Sequence, residues 1–315
     1  MINPDDVAAV LDTADIGHGK ISWVADNNHV AFSDNEQVFC KVTRPNLGYK
    51  SMSKELRFAS AYAESGVSID PLHNSLLEVP NLQGGVSLMS VWRYHDLVSF
   101  EPETITAAEG EALGLKLSQI HSLPLKSDVV NVMNPESFTN SIDYRINFAS
   151  TYRSIDNETI RQLDELRKRF VVGFSLGDPK RFVINHGDCH VGNFVKRNET
   201  GEYSWVDFEA VGYAPPEFDL AKLSNHLLRV GKNDVAWEAA LKVLDPESQL
   251  DYELFEKFRI VRLISTASFA LLHSNEWSVF ERRIKQLSPL LDGEALPKYL
   301  DRTDHSIPSV APKSK

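Results

Sequence analysis

The chain has 315 residues and a formal net charge of −11 at pH 7, with 42% hydrophobic and 24% charged residues. This length can bury a substantial core, and the composition is ordinary for a soluble globular protein. The negative charge argues against nucleic acid as a partner, because neutralising phosphates requires a basic surface. No apolar run is long enough to span a bilayer, and the acidic segment Met1–Asp6 lacks the features of a signal peptide. We therefore expect no membrane association and a cytoplasmic location.

The N-terminal third is predicted to form a small antiparallel sheet with one helix. Runs of apolar and β-branched residues on either side of a polar turn predict a hairpin of Val30–Phe32 and Gln37–Val42. Apolar residues at helical spacing predict a helix over Ser51–Ser65 that ends at Gly66. A further strand is predicted over Val86–Arg93.

Beyond residue 94 the pattern is mainly helical. The clearest helix is predicted over Thr104–Ser122, where Thr106 to Glu109 form a capping-box sequence. Lys126–Asn140 is polar and poorly periodic, so we expect a mobile insertion there, with helical patterns resuming over Ser141–Val171. The polar segment after Leu300 predicts a disordered tail. More helices are predicted over 220–230, 235–244, 251–274 and 277–290.

A short stretch in the middle of the chain contains the side chains that phosphoryl transfer from a nucleotide requires. The segment His186-Gly187-Asp188-Cys189-His190-Val191-Gly192-Asn193 is followed, fourteen residues after its last residue, by Asp207-Phe208-Glu209. Such transfer needs a carboxylate to orient the attacking hydroxyl and two further side-chain oxygens to hold Mg²⁺. Asp188, Asn193 and Asp207 supply these three groups.

The residues between the two motifs predict how the motifs meet. Asn193–Arg197 and Tyr203–Asp207 have the composition of strands, and Asn198–Gly201 between them is a turn sequence ending in glycine. A hairpin of this length returns Asp207 to the side of Asn193. Two oxygen ligands then face one cation.

The pattern H-G-D-x-x-x-x-N followed by D-F-E resembles the aminoglycoside phosphotransferase family of small-molecule kinases, whereas protein kinases carry H-R-D-x-x-x-x-N and D-F-G. The resemblance implies an α+β, bilobal, protein-kinase-like fold. Its N-terminal lobe is a small antiparallel sheet with one helix, and its larger C-terminal lobe is mostly helical. We therefore expect a nucleotide-binding lobe over residues 1–93 with the hinge at its end, a catalytic and substrate lobe over 94–300, and a tail over 301–315.

The resemblance also implies a role for each residue of the motifs. Asp188 is expected to be the catalytic base, and Asn193 and Asp207 the magnesium ligands. His186 is expected to be a structural prop of the loop. The cofactors implied are ATP, or GTP, and Mg²⁺.

The same mechanism requires a strand lysine, paired with a glutamate of the next helix, to hold the nucleotide phosphates. Lys41 is the only lysine of its predicted strand, and Glu55 lies one turn into the predicted helix, fourteen residues later. By the same resemblance, the backbone at the end of the strand Val86–Arg93 is expected to meet the adenine edge. Val91 and Arg93 are the residues predicted for that contact.

The predicted phosphate-facing turn departs from the family pattern. Many family members have a glycine there, whereas Val24–His29 has none. Asn27-Asn28 can form the turn, because asparagine tolerates left-handed backbone conformations. Gly17-His18-Gly19 is an alternative.

A small-molecule alcohol is the predicted acceptor. Only Ala210–Ala214 separate Glu209 from Pro215, which leaves no room for the activation loop that supports a peptide, so no protein substrate is expected. From Trp205 to Lys257 eleven acidic residues stand against five basic ones. This balance favours a cationic acceptor such as an aminoglycoside, an amino sugar or a choline-like alcohol. Solvated helices of any acidic protein would give the same balance.

Other interpretations of these residues remain open. His186, Asp188 and His190 alternate in the manner of transition-metal ligands. Cys189 is interpreted as a loop thiol, and with Cys40 as the second cysteine no disulfide framework is expected. A rival from another class is a kinase-like regulator that binds a nucleotide without transferring its phosphate.

Two residues flanking the motifs also have expected roles. Asp219 is either the acidic residue that the family has at this place or the N-cap of the following helix. His121 is expected to contact the catalytic loop as a structural residue.

Overall fold

A computed structural model describes residues 3–23, 30–33, 38–43, 49–68, 71–80, 85–93, 95–152, 157–271, 284 and 287–292. The chain divides into two units. The first consists of Met1–Asn134 and Ser175–Asp251, and the second of Pro135–Phe174 and Tyr252–Lys315. The lobe boundaries predicted at residues 93 and 300 remain predictions.

Some predictions fall outside the described residues. These are the phosphate-facing turn Val24–His29, the turn of the first hairpin over 34–37, most of the predicted helix over 277–290, and the tail after Leu300.

The strands and helices have the following bounds. The strands are β1 Ile21–Trp23, β2 Val30–Ser33, β3 Val38–Thr43, β4 Leu77–Pro80, β5 Val86–Arg93, β6 Leu97–Ser99, β7 Val183–Asn185, β8 Phe194–Arg197, β9 Tyr203–Trp205 and β10 Gly212–Ala214. The helices are α1 Pro4–Thr13, α2 Tyr49–Ala61, α3 Ala107–His121, α4 Pro135–Tyr152, α5 Asn157–Phe170, α6 Glu217–Ser224, α7 Asp234–Leu244 and α8 Tyr252–Ala270.

A five-stranded antiparallel sheet in the order β1-β2-β3-β5-β4 forms the N-terminal part of the first unit. The predicted hairpin is confirmed, with Val30 opposite Lys41 and Phe32 opposite Phe39. Strand β3 alternates in burial: Val38, Cys40 and Val42 belong to the core on one face of the sheet. Because successive side chains of a strand point to opposite faces, Lys41 lies on the other face.

Helix α2 covers the face of the sheet that carries Lys41. Its residues Leu56 and Ala59 pack with Trp92 and against Phe39, two residues before Lys41. The predicted helix is confirmed, except that it begins at Tyr49 and its last turn, Ala63–Ser65, is 3₁₀. This packing brings Glu55 to Lys41.

Helix α3 begins with the predicted capping box. The Glu109 amide donates to the Thr106 hydroxyl at 3.3 Å, and the Thr106 amide donates to the Glu109 carboxylate at 2.8 Å. The helix packs closely on α7 because glycines face alanines. A Cβ atom built on Gly110 would lie 2.9 Å from the Cα of Ala236, and one on Gly114 would lie 2.7 Å from the Ala240 carbonyl oxygen.

The second unit contains α4, α5 and α8 around its own apolar core. Ile142, Ile146 and Ala149 of α4 are buried in it together with Leu163 and Leu166 of α5. Described residues include no helix with the length and apolar character needed to cross a membrane.

The prediction of an insertion over Lys126–Asn140 is wrong in two respects. Val129 and Val130 are buried, and α4 begins at Pro135 rather than near Ser141. Phe138 is the only large apolar residue between Pro135 and Ser141, so this part of α4 carries no periodic apolar signal. The apolar spacing of the helix becomes recognisable in the sequence only from Ile142.

The close contact of α3 and α7 makes a stability prediction. Gly110→Ala should lower the free energy of unfolding by about 1–3 kcal/mol, because the added methyl group meets the Ala236 backbone and overpacks the interface. In an unhindered helix the same change would stabilise by about 1 kcal/mol. Urea denaturation measures the difference. Glu111→Ala, at an exposed position of the same helix, should change stability by less than about 0.5 kcal/mol. A stabilised Gly110→Ala variant would contradict the packing.

Candidate active site

The hairpin of β8 and β9 brings the two motifs together, as predicted. Phe194 pairs with Trp205, and beyond this pair the Val206 amide donates to the Asn193 carbonyl oxygen at 2.9 Å. Asn193 and Asp207 therefore lie at the same end of the hairpin.

The backbone at Asp207 is left-handed, with φ 66°. A non-glycine residue pays about 1–2 kcal/mol for this conformation, so surrounding contacts must hold it. The next residue supplies them. Phe208 is buried, stacks on Phe58 of α2 with ring centroids 4.6 Å apart, and donates its amide to Glu55 Oε1 at 3.0 Å.

Lys41 lies at the centre of a group of carboxylates. Its ammonium nitrogen is 3.2 Å from Glu55 Oε2 and 2.8 Å from Asp207 Oδ1, and it also pairs with Glu209. The structure thus brings the predicted pair Lys41 and Glu55 together. It adds two partners that the sequence analysis did not assign.

The charges of this group do not balance. Burial raises the pKa of Glu55 to about 7; Lys41 opposes that rise, and the charges of Asp207 and Glu209 add to it. Burial alone would lower the pKa of Lys41, but Glu55, Asp207 and Glu209 raise it above its ordinary value. Lys41 pairs with three carboxylates, and Lys54 adds a second ammonium group near Glu209. The three carboxylates still outnumber the two ammonium groups.

Mg²⁺ fits this donor set. Oxygen atoms of Glu55, Asp207 and Glu209 lie within 4.8 Å of one another, and carboxylate oxygens are the ligands that Mg²⁺ prefers. The side-chain NH₂ of Asn193 donates to the Asp188 carbonyl oxygen at 3.0 Å, so the side-chain oxygen is the atom that Asn193 could offer to a metal ion. The ligand roles of Asn193 and Asp207 remain predictions.

Asp219 fixes the backbone of the loop that carries Asp188. Its buried carboxylate accepts from the amide of His186 at 2.7 Å and from that of Gly187 at 2.9 Å. The Cys189 thiol donates to the Asp219 carbonyl oxygen at 3.0 Å, as expected of a loop thiol. Gly187 itself has φ 85°, and a Cβ there would collide with the backbone of Ala210. Of the two interpretations of Asp219, the N-cap is wrong, because Pro216 occupies that position and Asp219 is the third residue of α6.

His121 reaches the loop through Asp219. Its Nε2 atom lies 3.2 Å from Asp219 Oδ2. Burial would raise the pKa of Asp219, but the hydrogen bond and charge of His121 and the hydrogen bond from the Gly187 amide hold that pKa below its ordinary value. The carboxylate is therefore ionised wherever the protein is folded near neutral pH.

His186 is a buried support of the loop. Its Nε2 atom donates to the Val206 carbonyl oxygen at 2.9 Å, and its Nδ1 atom accepts from the Asp188 amide at 3.2 Å. Burial lowers the pKa of His186, which keeps the ring neutral. Both ring nitrogens of His186 are engaged in these hydrogen bonds, so His186 cannot bind a metal ion together with Asp188 and His190. The interpretation of these three residues as a transition-metal site therefore has no support.

Asp188 directs its carboxylate between two side chains. Its Oδ1 atom is 2.8 Å from the Lys222 ammonium nitrogen, and its Oδ2 atom is 3.7 Å from His190 Nε2. Lys222 was not identified from the sequence. The sequence could have indicated Lys222 only by its position one helical turn after Asp219. That position points to the loop of Asp188 only when the contacts of Asp219 with the loop are known.

The predicted hinge residues lie on β5. The Val91 carbonyl oxygen already accepts from the Leu72 amide at 2.9 Å, and Val91 is buried. Arg93 is the last residue of the strand and is exposed. Contact with an adenine edge remains a prediction for both residues. Of the two, the exposed Arg93 is the better placed to make it.

Known structures share this fold and belong to kinases of small molecules. The amicoumacin kinase hAmiN, solved with AMP-PNP, Ca²⁺ and Ami, has a TM-score of 0.66 and 16% identity, covering 90% of this chain and 93% of its own. The spectinomycin phosphotransferase APH(9)-Ia, solved with ADP and spectinomycin, has a TM-score of 0.63 and 17% identity, covering 91% of this chain and 94% of its own. The choline kinase LicA from Streptococcus pneumoniae has a TM-score of 0.60 and 14% identity, covering 90% of this chain and 98% of its own. The predicted α+β protein-kinase-like fold is confirmed.

Sequence comparison gives the family. The model of the phosphotransferase enzyme family (APH) matches residues 20–243, most of the chain, so this protein belongs to that family. The resemblance predicted from the two motifs is confirmed. No curated protein sequence matches the chain.

The buried Asp219 makes a prediction with a defined pH dependence. Asp219→Asn should lower the free energy of unfolding by about 2–3 kcal/mol at pH 7, because an amide cannot accept from both loop amides. The folded-state pKa of Asp219 is depressed, so its contribution is complete above the ordinary aspartate pKa of about 4. The contribution is lost as the pH falls through the lower, folded-state value.

Urea denaturation of wild type and variant at several pH values between about 3 and 7 measures this difference. The gap between them should narrow at the acidic end. Asp128→Asn, at an exposed position, is the matched control and should leave stability nearly unchanged. A gap that stays constant down to pH 3 would exclude the assigned role of the Asp219 charge.

Proposed function

We propose that this protein transfers the γ-phosphoryl group of ATP, or GTP, to a hydroxyl group of a small molecule. The observation that carries this proposal is the convergence of Lys41, Glu55 and Asp207 at the end of the hairpin that also holds Asn193. Membership of a phosphotransferase family supports the same reaction class. A nucleoside triphosphate as donor fits the predicted cytoplasmic location.

On the nucleotide side, Lys41 holds the phosphates and Glu55 holds Lys41. Asn193 and Asp207, with Glu209 beside them, would hold Mg²⁺. When bound, the metal neutralises phosphate charge that the carboxylates would otherwise repel. Lys41 exchanges its contact with Asp207 for the phosphate oxygens as the nucleotide enters.

On the acceptor side, Asp188 receives the proton of the attacking hydroxyl. The acceptor oxygen forms a bond to the γ-phosphorus, and the bond from that phosphorus to the bridging oxygen breaks. The nucleoside diphosphate leaves with the electron pair. Such catalysis depends mainly on positioning, which the bonds of Asp219 to the loop backbone provide.

The known structures with this fold support a small-molecule acceptor. Their names and ligands include AMP-PNP, ADP, amicoumacin, spectinomycin and choline. They do not identify the acceptor here, because identities of 14–17% indicate the fold alone. No protein substrate is proposed.

The acidic residues after Trp205 are weak support for a cationic acceptor. Glu217, Asp219 and Asp245 are buried within the protein, and Asp207 and Glu209 pair with Lys41. These five carboxylates are engaged inside the fold, so the acidic excess in the sequence overstates the charge offered to an acceptor. Cationic, neutral and anionic alcohols therefore all belong in the first substrate panel.

The alternative of a regulator without transfer activity has less support. A weak phosphate-facing turn would favour such a regulator, but the glycine-free turn Val24–His29 lies outside the described residues. Asp188 has a partly exposed carboxylate that a nucleotide-binding regulator would not need. We therefore favour the enzyme.

Nucleotide binding is tested by thermal unfolding with Mg-ATP, Mg-GTP, and ATP with EDTA. A nucleotide at about a hundred times its dissociation constant should add about 2.7 kcal/mol of stability, a rise of several degrees in Tm. The shift should shrink with EDTA, because phosphates without the metal meet the carboxylates of Glu55, Asp207 and Glu209. It should also shrink in Asp207→Asn. Equal shifts with and without metal would contradict the proposed metal site.

Turnover is tested by following release of nucleoside diphosphate with the panel of alcohols. Asp188→Asn should lower kcat by about 10²–10⁴-fold, because the amide cannot take the hydroxyl proton. Its Tm shift with Mg-ATP should equal that of wild type. Asp234→Asn, at an exposed position, is the matched control with unchanged turnover. Near-normal kcat in Asp188→Asn would overturn the assignment of the base.

A further inference from the structure

Helix α6 carries two side chains that reach the loop of Asp188. Asp219 binds the loop backbone, and Lys222 binds the Asp188 carboxylate itself. The two residues are three positions apart, so they lie on the same face of the helix. One rigid element therefore fixes both the backbone and the side chain of the proposed base.

The two oxygen atoms of Asp188 have different surroundings. Oδ1 is 2.8 Å from the Lys222 ammonium nitrogen, which is hydrogen-bonding distance, whereas Oδ2 is 3.7 Å from His190 Nε2, beyond that distance. The His190 ring is itself held, because its Nδ1 atom accepts from the Gly192 amide at 3.1 Å. Both side chains of the ion pair are partly shielded, with 23% of Lys222 and 34% of Asp188 exposed.

We propose that Lys222 is a positioning residue for phosphoryl transfer. It binds Oδ1 of Asp188 and so fixes the orientation of the carboxylate that takes the proton of the acceptor hydroxyl. This inference rests on the proposed function. The acceptor O–H proton passes to the Asp188 carboxylate, the acceptor oxygen bonds to the γ-phosphorus, and the nucleoside diphosphate departs with the electrons of the broken bond.

A purely structural role predicts a different outcome. Partly exposed ion pairs contribute little to stability, so loss of this pair should hardly change the fold. A carboxylate that is free to rotate, however, presents its oxygen to the hydroxyl in the reactive geometry for only part of the time. Errors of about 1 Å in such geometry can cost about 10²-fold in rate.

The experiment measures kcat and the nucleotide KM of Lys222→Ala, Lys222→Met and Lys222→Arg with the best acceptor of the panel. We expect kcat to fall about 10–100-fold in the alanine and methionine variants. The nucleotide KM and the Tm shift with Mg-ATP should stay unchanged. Lys222→Arg, which keeps the charge, should retain most of kcat. Lys242→Met, at an exposed position of α7, is the matched control.

Chemical rescue adds a readout that a structural role would not affect. Methylammonium or ethylammonium, added to Lys222→Ala, should restore part of kcat by occupying the vacated place beside Oδ1. If Lys222→Met fails to fold, the arginine variant and the rescued alanine variant still test the proposal.

The outcomes separate this proposal from the proposed function. Wild-type kcat in Lys222→Met, or equal loss in the arginine and methionine variants without rescue by amines, would overturn the role of Lys222 and leave the kinase activity intact. A wild-type protein with neither a nucleotide-dependent Tm shift nor release of diphosphate would overturn both.

Discussion

The buried carboxylate of Asp219 is the constraint on which the site depends. A charge without exposure to water is costly unless hydrogen bonds compensate it. Here the amides of His186 and Gly187, together with His121, provide that compensation. The same bonds fix the direction of the following residue, Asp188. Moving the loop would break these bonds and leave a buried charge unpaired. This cost holds the loop in place.

The two halves of the site differ in charge, and the difference matches their tasks. Around Lys41 the carboxylates of Glu55, Asp207 and Glu209 outnumber the ammonium groups of Lys41 and Lys54, which suits the proposed divalent cation. At Asp188 the Lys222 ammonium group lies against the carboxylate. In the proposed mechanism the first half takes up positive charge together with the nucleotide, whereas the second holds its carboxylate in place before the acceptor arrives.

The sequence predicted those parts of the site that depend on local spacing. Strand alternation and turn composition were enough to pair β8 with β9 and so to bring Asn193 to Asp207. The pairing of Lys41 with Glu55 could also be predicted, because the kinase mechanism requires a strand lysine and a glutamate of the next helix. Helix α3 was clear because its capping box and its apolar spacing agree.

Long-range partners could not be predicted in the same way. Lys222 is 34 positions from Asp188, and nothing in the spacing of a lone lysine on a helix indicates which carboxylate it meets. The start of α4 could not be predicted because a single large apolar residue, Phe138, precedes Ile142 and gives no periodicity. The acidic excess after Trp205 misled because a count of charges does not show that Glu217 and Asp245 are buried. What the motifs leave undetermined is therefore the set of contacts that tertiary packing adds around them. In this protein those contacts join α6 to the loop, through Asp219 to its backbone and through Lys222 to the Asp188 carboxylate.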